Sequence, residues 1–382
     1  MNFELTDEQA LIQQTAREFA QSEVAPRAAA FDQGSEFPYE IVEQMAQLGF
    51  MGLPVPEEYG GAGADTLSYA LAVEEISRAD ASTGITLAAH VSLGTMPFVY
   101  FGTEEQKRAY VPPLASGERL WAFGLTEPNA GSDAGAAQTS AVLSDGTWTV
   151  NGAKAFITNS GTRISAGVTI TALTGRRADG GREISNLIVP AGTPGYVIAK
   201  DYHKMGWRAS DTHELSFQDA RVPEENLLGE RGAGMRQFLT ILDGGRISVA
   251  ALSVGLAQAC LDASLKYSKE RVQFGKPIAS FEAVQFKLAE MATKIEHARL
   301  MTYKAAWLKD TGREFATTAG MAKLYASRIA TECADEAVQI HGGYGIMEEY
   351  PVARYWRDVK IGEIGEGTSE IQKLIIARAL GI

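Results

Sequence analysis

Apolar positions in the first third of the chain recur at helical spacing. Leu11, Thr15 and Phe19 follow one another four residues apart, behind Thr6-Asp7-Glu8-Gln9. In that box the Thr6 hydroxyl and the Gln9 side chain can each satisfy a free backbone N–H of the first turn. Pro26 closes or bends the helix, and Thr103 to Gln106 repeats the box ahead of another. Between them the Gly- and Pro-rich run GLPVPEEYGGAG (52–63) reads as loop. Near Leu120 the texture changes. WTVNGAKAFITN, GVTITAL, SNLIVPAG, GYVIA and HELSFQDARVP are short strand-like runs between turn signals. Asn151-Gly152, flanked by two such runs, predicts a hairpin. From about 230 the helical period returns. Val284, Leu288, Met291, Ile295 and Ala298 fall on one face, and Arg246 to Arg271 is apolar on several sides, as a helix buried in a bundle should be. Segregated blocks of this kind predict an α+β chain, not alternating βαβ units. The expected division is a helical domain at 1–118, a β-domain at 119–229 and a helical domain at 230–382.

Composition narrows the partners. The chain has 382 residues, 47 acidic and 35 basic, for a formal charge of -12. That balance argues against nucleic acid or an anionic membrane as the main partner, while leaving room for a local basic pocket around an anionic small ligand. Two cysteines, Cys260 and Cys333, are too few for a disulfide framework or a thiolate metal site and are expected as buried free thiols. The N-terminal MNFELTDEQALIQQ lacks the pattern of a signal peptide. No uncharged apolar run is read as reaching the roughly 20 residues a membrane helix needs. The expectation is a soluble, cytoplasmic protein without membrane insertion.

The common catalytic devices are missing: no GxGxxG at a strand–helix junction, no P-loop, no GxSxG. The five histidines are scattered, without metal-ligand spacing, so no metal site is expected. Four segments remain. WAFGLTEPNAGSDAG (121–135) offers hydroxyls and backbone N–H groups on a loop that can bond a flat ring or a pyrophosphate; it reads equally as a small-residue turn. AFITNSG (155–161) sets Phe156 and Thr158 two apart on one strand face, where they can cover and bond a planar group, although any strand can carry such a pair. KERVQFGKPIASFEAVQ (269–285) clusters Arg271, Gln273 and Phe274, suited to a phosphate or to a helix end. AVQIHGGYG (337–345) and IGEIGEGTSEIQ (361–372) join close-approach glycines to three carboxylates, Glu363, Glu366 and Glu370. Glu366, at a flexible point before an apolar helix, reads as a base or as a helix-entry residue.

TEPNAGSD, ITN, SDTHELSFQDARVPEENLLG, RVQFGKP, QIHGGYG and EGTSEIQ together, in this order and over nearly the whole chain, resemble the acyl-CoA dehydrogenase family. The resemblance implies an N-terminal helical domain, a middle β-barrel or sandwich and a C-terminal four-helix bundle. It also implies one FAD per subunit, a homotetramer built as a dimer of dimers, and an electron-transfer flavoprotein as redox partner. By the same resemblance Phe123, Leu125, Thr126, Gly131 and Ser132 line the flavin, with Ser132 also reaching the acyl-CoA substrate. Phe156, Ile157 and Thr158 cover the ring, Phe156 standing where many relatives carry Trp. Arg271, Gln273, Phe274, Gln339, Gly342, Gly343, Thr368 and Glu370 match residues that hold the ADP part of a neighbouring subunit's FAD. Asp243, Arg246 and Gly367 match the substrate side.

Glu366 matches the base that removes the α-proton of an acyl-CoA thioester while a β-hydride leaves to the flavin. Some relatives carry the base on the helix of Asp243 and Arg246, where this chain has Gly245. Many straight-chain relatives have Tyr just before the base, where this chain has Gly365, which implies a pocket open to short or branched acyl groups. A flavin oxidase and a non-catalytic flavin or acyl-CoA binder are the other readings of the same motifs.

Overall fold

The computed structural model describes residues 4–382; the first three residues of the stretch without a signal pattern lie outside the described residues. Both capping boxes form, at the heads of α1 (Asp7–Phe19) and, further on, of the helix Glu104–Ala115. After α1 the chain neither stops nor kinks sharply. One π-type turn (Ala20–Val24) carries it into α2 (Ala25–Gly34), where Pro26 occupies the first turn and needs no N–H partner. The remaining N-terminal helices are α3 (Tyr39–Gln47), α4 (Thr66–Ala79), α5 (Ala81–Ala89), α6 (Met96–Phe101) and α7 (Glu104–Ala115). The stretch 52–63 is turns and short 3₁₀ pieces, as its Gly and Pro content requires.

Strands follow: β1 (Leu120–Gly124), β2 (Ser140–Ser144), β3 (Thr147–Thr158), β4 (Ser165–Arg176), β5 (Arg182–Pro190), β6 (Tyr196–Asp201), β7 (Thr212–Pro223) and β8 (Leu227–Leu228). They form one eight-stranded sheet in the order β6-β7-β3-β2-β4-β5-β8, with β1 added in parallel to β4. The hairpin expected at Asn151-Gly152 is not there. Those residues lie inside β3, where the register against β7 slips between Val150 and Gly152. Gly152 has φ +148, and a Cβ on it would crowd Thr139, so the Asn-Gly pair marks a bulge. The hairpin between β2 and β3 turns instead on Asp145-Gly146, both left-handed (φ +50 and +72). β1, expected as part of a loop, pairs through Leu120 to Gly124.

The C-terminal part begins with α8 (Gly234–Glu270), then a small ribbon of β9 (Val272–Gln273) and β10 (Lys276–Pro277). α9 (Glu282–Asp310), α10 (Ala316–His341), α11 (Pro351–Gly362) and α12 (Ser369–Ala379) complete it. α8, α9 and α10 pack on one another, α11 closes against α8 and α10, and α12 lies on α10. Met291, Ile295 and Ala298 bury the predicted face of α9, with Val284 and Leu288 half-buried at its start. A single apolar core runs from α1, α3 and α4 into α8, α9 and α10, while the sheet keeps its own core around Trp148, Ile170 and Phe217. The architecture is α+β: N-terminal helices, a middle sheet, a C-terminal helical bundle. Cys260 and Cys333 are buried and unbridged.

Two helical stretches, Ala81–Phe101 and Gly234–Glu270, are long and apolar enough to cross a membrane, contrary to the run-length reading. In their most apolar windows 78% and 83% of residues are buried inside the fold, the position of core helices.

Candidate active site

The loop between α11 and α12 places Glu366 at the junction of α4, α8 and α10. Glu366 itself is left-handed (φ +52), followed by Gly367 (φ +97). A non-glycine residue in that region is strained and persists only where its surroundings hold it. Here the holders are buried side chains. Lys323 of α10 donates from Nζ to the Gly367 carbonyl oxygen at 2.7 Å, and Gln372 of α12 donates to the same oxygen at 3.0 Å and to that of Glu366 at 3.4 Å. Thr368 caps α12 through the Ile371 N–H.

The Glu366 side chain is turned inward. Both carboxylate oxygens are sealed from solvent and, among the described residues, neither has a hydrogen-bond partner. Burial pushes its pKa up to about 7, against the pull of Lys323 and Arg246. Its two neighbours behave differently. Burial would raise Glu363, but hydrogen bonds from Lys360 and Thr331 outweigh it and hold it below the ordinary carboxylate value. Glu370 is exposed in the first turn of α12 and is also lowered, first by its own backbone N–H. Of the three carboxylates only Glu366 is inward, unpartnered and near-neutral in pKa.

Opposite it lies α8. A Cβ on Gly245 would overlap Glu366 Oε2 and stand 3.5 Å from Leu93 Cδ2. Arg246, 3% exposed, is ion-paired with Asp243 three residues back. Its Nε has no partner among the described residues. Tyr69 of α4 is buried close by, its hydroxyl donating to the Ala88 carbonyl at 2.9 Å. Burial, with the Glu366 charge behind it, raises that phenol.

The loop after β1 is pinned rather than free. Phe123 stacks on Phe238 of α8 at 3.7 Å. The Leu125 and Thr126 carbonyls accept from Lys154 Nζ (3.2 Å) and the Ala155 N–H (2.8 Å). Lys154, 0% exposed, also meets Glu127 at 2.7 Å, and Glu127 in turn accepts from the Gln138 and Thr139 N–H groups. Gly131 and Ser132 stand out from this anchor, exposed. On β3, Phe156 is left-handed (φ +62) in a second register slip, and its ring is 65% exposed, 5.0 Å from Tyr202. Thr158 follows just past the slip, paired with Thr212 of β7 and half-buried. Ile157 turns into the sheet core at 3% exposure, leaving only its main chain toward Phe156.

A third group sits beyond the end of α8. Arg271, Gln273, Gly342 and Gly343 line one cavity of about 520 Å³, walled by Tyr267 stacked on His341 at 4.2 Å. A Cβ on Gly342 or Gly343 would meet nothing within 4 Å, so the backbone there faces open space. Phe274 (φ +52, 93% exposed) and the exposed Gln339 stand outside this lining, and Thr368 and Glu370 lie with the Glu366 loop instead. Lys323, Lys154, Glu127 and Tyr69 went unnoticed in the sequence. A single Lys inside the apolar runs AGMAKLYA and NGAKAFI was the one available signal. No metal-type cluster of His, Cys, Asp and Glu occurs among the described residues.

Residues 6–118, 122–220 and 232–381 match the N-terminal, middle and C-terminal domain families of acyl-CoA dehydrogenase. The chain is 57% identical over 380 residues to the probable acyl-CoA dehydrogenase YngJ of Bacillus subtilis, covering 100% of both. Among solved structures it superposes on butyryl-CoA dehydrogenase from Megasphaera elsdenii with a TM-score of 0.97 at 46% identity, covering 100% of both chains. A chain from a structural study of the electron transferring flavoprotein of Acidaminococcus fermentans gives 0.96 at 47%, covering 100% of this chain and 99% of that one. An acyl-CoA dehydrogenase complexed with FAD from Bacillus anthracis gives 0.92 at 37%, covering 99% of this chain and 67% of that one. With a helix–sheet–helix fold, three matched domains and a relative sharing more than half its residues, this chain belongs to the acyl-CoA dehydrogenase family.

Proposed function

We propose that the protein oxidises a short or branched acyl-CoA thioester to its trans-2-enoyl-CoA with Glu366 as the base, and passes the electrons to an electron-transfer flavoprotein. The observation that carries this reading is the inward, unpartnered Glu366 carboxylate facing Gly245. A general base must titrate near working pH and must not be neutralised by a partner. Burial supplies the first condition, and the lack of a hydrogen bond supplies the second.

The residues present fit an FAD. The 520 Å³ cavity joins an arginine to two glycines with open space above them, as a pyrophosphate or adenosine segment needs. Phe156 presents an exposed ring at the register slip of β3, two residues before Thr158. When bound, the flavin supplies the hydride acceptor. The rest falls to the chain. Arg246 and Asp243 meet the polar portion of the thioester, the loop from Leu125 to Ser132 orients the ring edge, and Glu366 takes the α-proton. In this reading the Glu366 N–H, held in the clamped turn, bonds the thioester oxygen as enolate charge develops.

Phe274, Tyr344, Ile346 and Met347 leave large apolar surfaces exposed beside the cavity. Such a patch favours cover by protein, and a second copy of this chain within a dimer of dimers is the occupant the family suggests. The function is tested with a panel of butyryl-, isobutyryl- and octanoyl-CoA and a dye acceptor, alongside Glu366→Gln. Dye reduction with the short substrates, abolished in the variant, is the expected result. Full activity in Glu366→Gln overturns the assignment, and a strong preference for octanoyl-CoA overturns the short or branched specificity.

A further inference from the structure

Lys323 stands in the middle of α10, 0% exposed, among Ala319, Ala322 and Ala326. Burying an ammonium is costly unless it is compensated. Among the described residues its one hydrogen bond goes to the Gly367 carbonyl, and it makes no ion pair. A lysine whose only role is to pack would be better as Met or Leu in this helix. The position calls for a charge, and the bond it makes ends on the residue next to Glu366.

We propose that Lys323 is a positioning residue for the Glu366 base, its ammonium fixing the left-handed Glu366–Gly367 turn and acting as the buried cation that keeps the carboxylate ionised. This rests on the reading of Glu366 as the base. The groups facing the carboxylate support it. From α8 comes Arg246, whose charge is already engaged by Asp243; from α4 comes the neutral phenol of Tyr69. Lys309 of α9 lies near Gly244, its Nζ 3.4 Å from where a Cβ on that glycine would stand. Glu363, at the end of α11, is engaged by Lys360 and Thr331, and Glu370, in the first turn of α12, is held low first by its own backbone N–H; their charges act on Lys323 only after that of Glu366. Of the two cations that act on the Glu366 carboxylate, Arg246 is ion-paired with Asp243, whereas Lys323 makes no ion pair among the described residues. Its pKa is itself lowered to about 8 by burial, which leaves it positive at neutral pH, and Glu366 is the first charge that opposes the lowering.

The test compares Lys323→Met, which removes charge and donor, with Lys323→Arg, which keeps both. The acid limb of kcat/KM against pH is read for each. In Lys323→Met the limb should move up by about one pH unit or more, because the carboxylate loses the cation that pulls its pKa down most; Lys323→Arg should restore it toward wild type. An unshifted limb with a uniformly lower rate in Lys323→Met means a purely structural role and overturns the proposal. Should Lys323→Met not fold, Lys323→Gln gives the same comparison with a donor but no charge. A second readout does not depend on turnover: the pH dependence of Tm in the holoenzyme. The titration step assigned to Glu366 should vanish in Glu366→Gln and shift upward in Lys323→Met. If Glu366→Gln stays active while Lys323→Met still shifts that step, the base assignment fails and the coupling stands. If the step does not move, the coupling fails whatever the base.

Discussion

Gly245 and Glu366 share one space: a Cβ on Gly245 would overlap Glu366 Oε2. In some relatives the base stands on the Gly245 helix, and here the two positions converge from α8 and from the loop before α12. Only one of them can carry a side chain. The glycine is therefore the room that Glu366 occupies.

Gly245→Ala should push the carboxylate aside without harming the helix. Alanine in a helix interior is favoured over glycine by about 1 kcal/mol, so lost activity cannot be blamed on a weakened α8. A displacement of about 1 Å in a reacting group can lower turnover on the order of a hundredfold. We expect a fall of at least about tenfold in kcat with an unchanged far-UV spectrum. Wild-type kcat in this variant would mean that the carboxylate works from elsewhere.

Glu366 also sets a pH dependence of stability. Its folded pKa, about 7, lies above the ordinary 4.5. Stability from this group is thus fully present below pH 4.5 and is lost as pH rises through 7. Glu366→Gln removes the loss. At pH 8 the variant should be more stable than wild type by on the order of 2–3 kcal/mol, and at pH 4 by almost nothing. Denaturant unfolding at the two values checks it; an equal difference at both would show that the carboxylate is not buried as found. Activity runs the other way, falling as pH drops through about 7 and the base takes up a proton.

Much of this is legible in the sequence. The capping boxes at Thr6 and Thr103 and the apolar face of α9 depend on local spacing, which sequence displays directly. Asn151-Gly152 misled because the same dipeptide serves a turn and a bulge, and only the pairing of β3 with β7 decides between them. Lys154 and Lys323 were missed for a different reason. A lone lysine in an apolar run reads as a solvated tip, and its burial is set by contacts with residues 27 and 44 positions away. The left-handed backbone at Phe156, Phe274 and Glu366 is likewise invisible in residue type, yet it marks three of the four segments the motifs had singled out.

Gly365 concerns the acyl chain. Its backbone is not left-handed, and a Cβ there would meet only the Ile361 carbonyl, at 3.4 Å. Gly365→Tyr should therefore fold. The ring would stand beside the base, narrowing the space for a branch at the α-carbon. Isobutyryl-CoA turnover should fall about fivefold or more relative to butyryl-CoA, a difference of about 1 kcal/mol in transition-state binding. An unchanged ratio would remove Gly365 from the specificity argument.

The loop from Leu125 to Ser132, proposed to meet the flavin ring, hangs on the Lys154–Glu127 pair, and a double-mutant cycle tests this. Lys154 is 0% and Glu127 5% exposed. Burial would raise Glu127, but Lys154 and the Thr139 and Gln138 N–H groups outweigh it and hold it below the ordinary value. Lys154→Met leaves that carboxylate buried beside the two N–H groups with no counter-charge, a change that typically costs about 3–5 kcal/mol. Lys154 Nζ also bonds the Leu125 carbonyl and the Thr171 hydroxyl, so the variant frees the start of the loop from β4 as well. Both Tm and the flavin retained through gel filtration should drop. Adding Glu127→Gln should then recover part of the Tm, because the neutral amide no longer needs the cation, while flavin retention stays low, because the Leu125 anchor is still gone. Recovery of both together would mean the pair stabilises the sheet alone. Recovery of neither would mean that the lost packing of the lysine stem, and not the charge, is what the loop depends on.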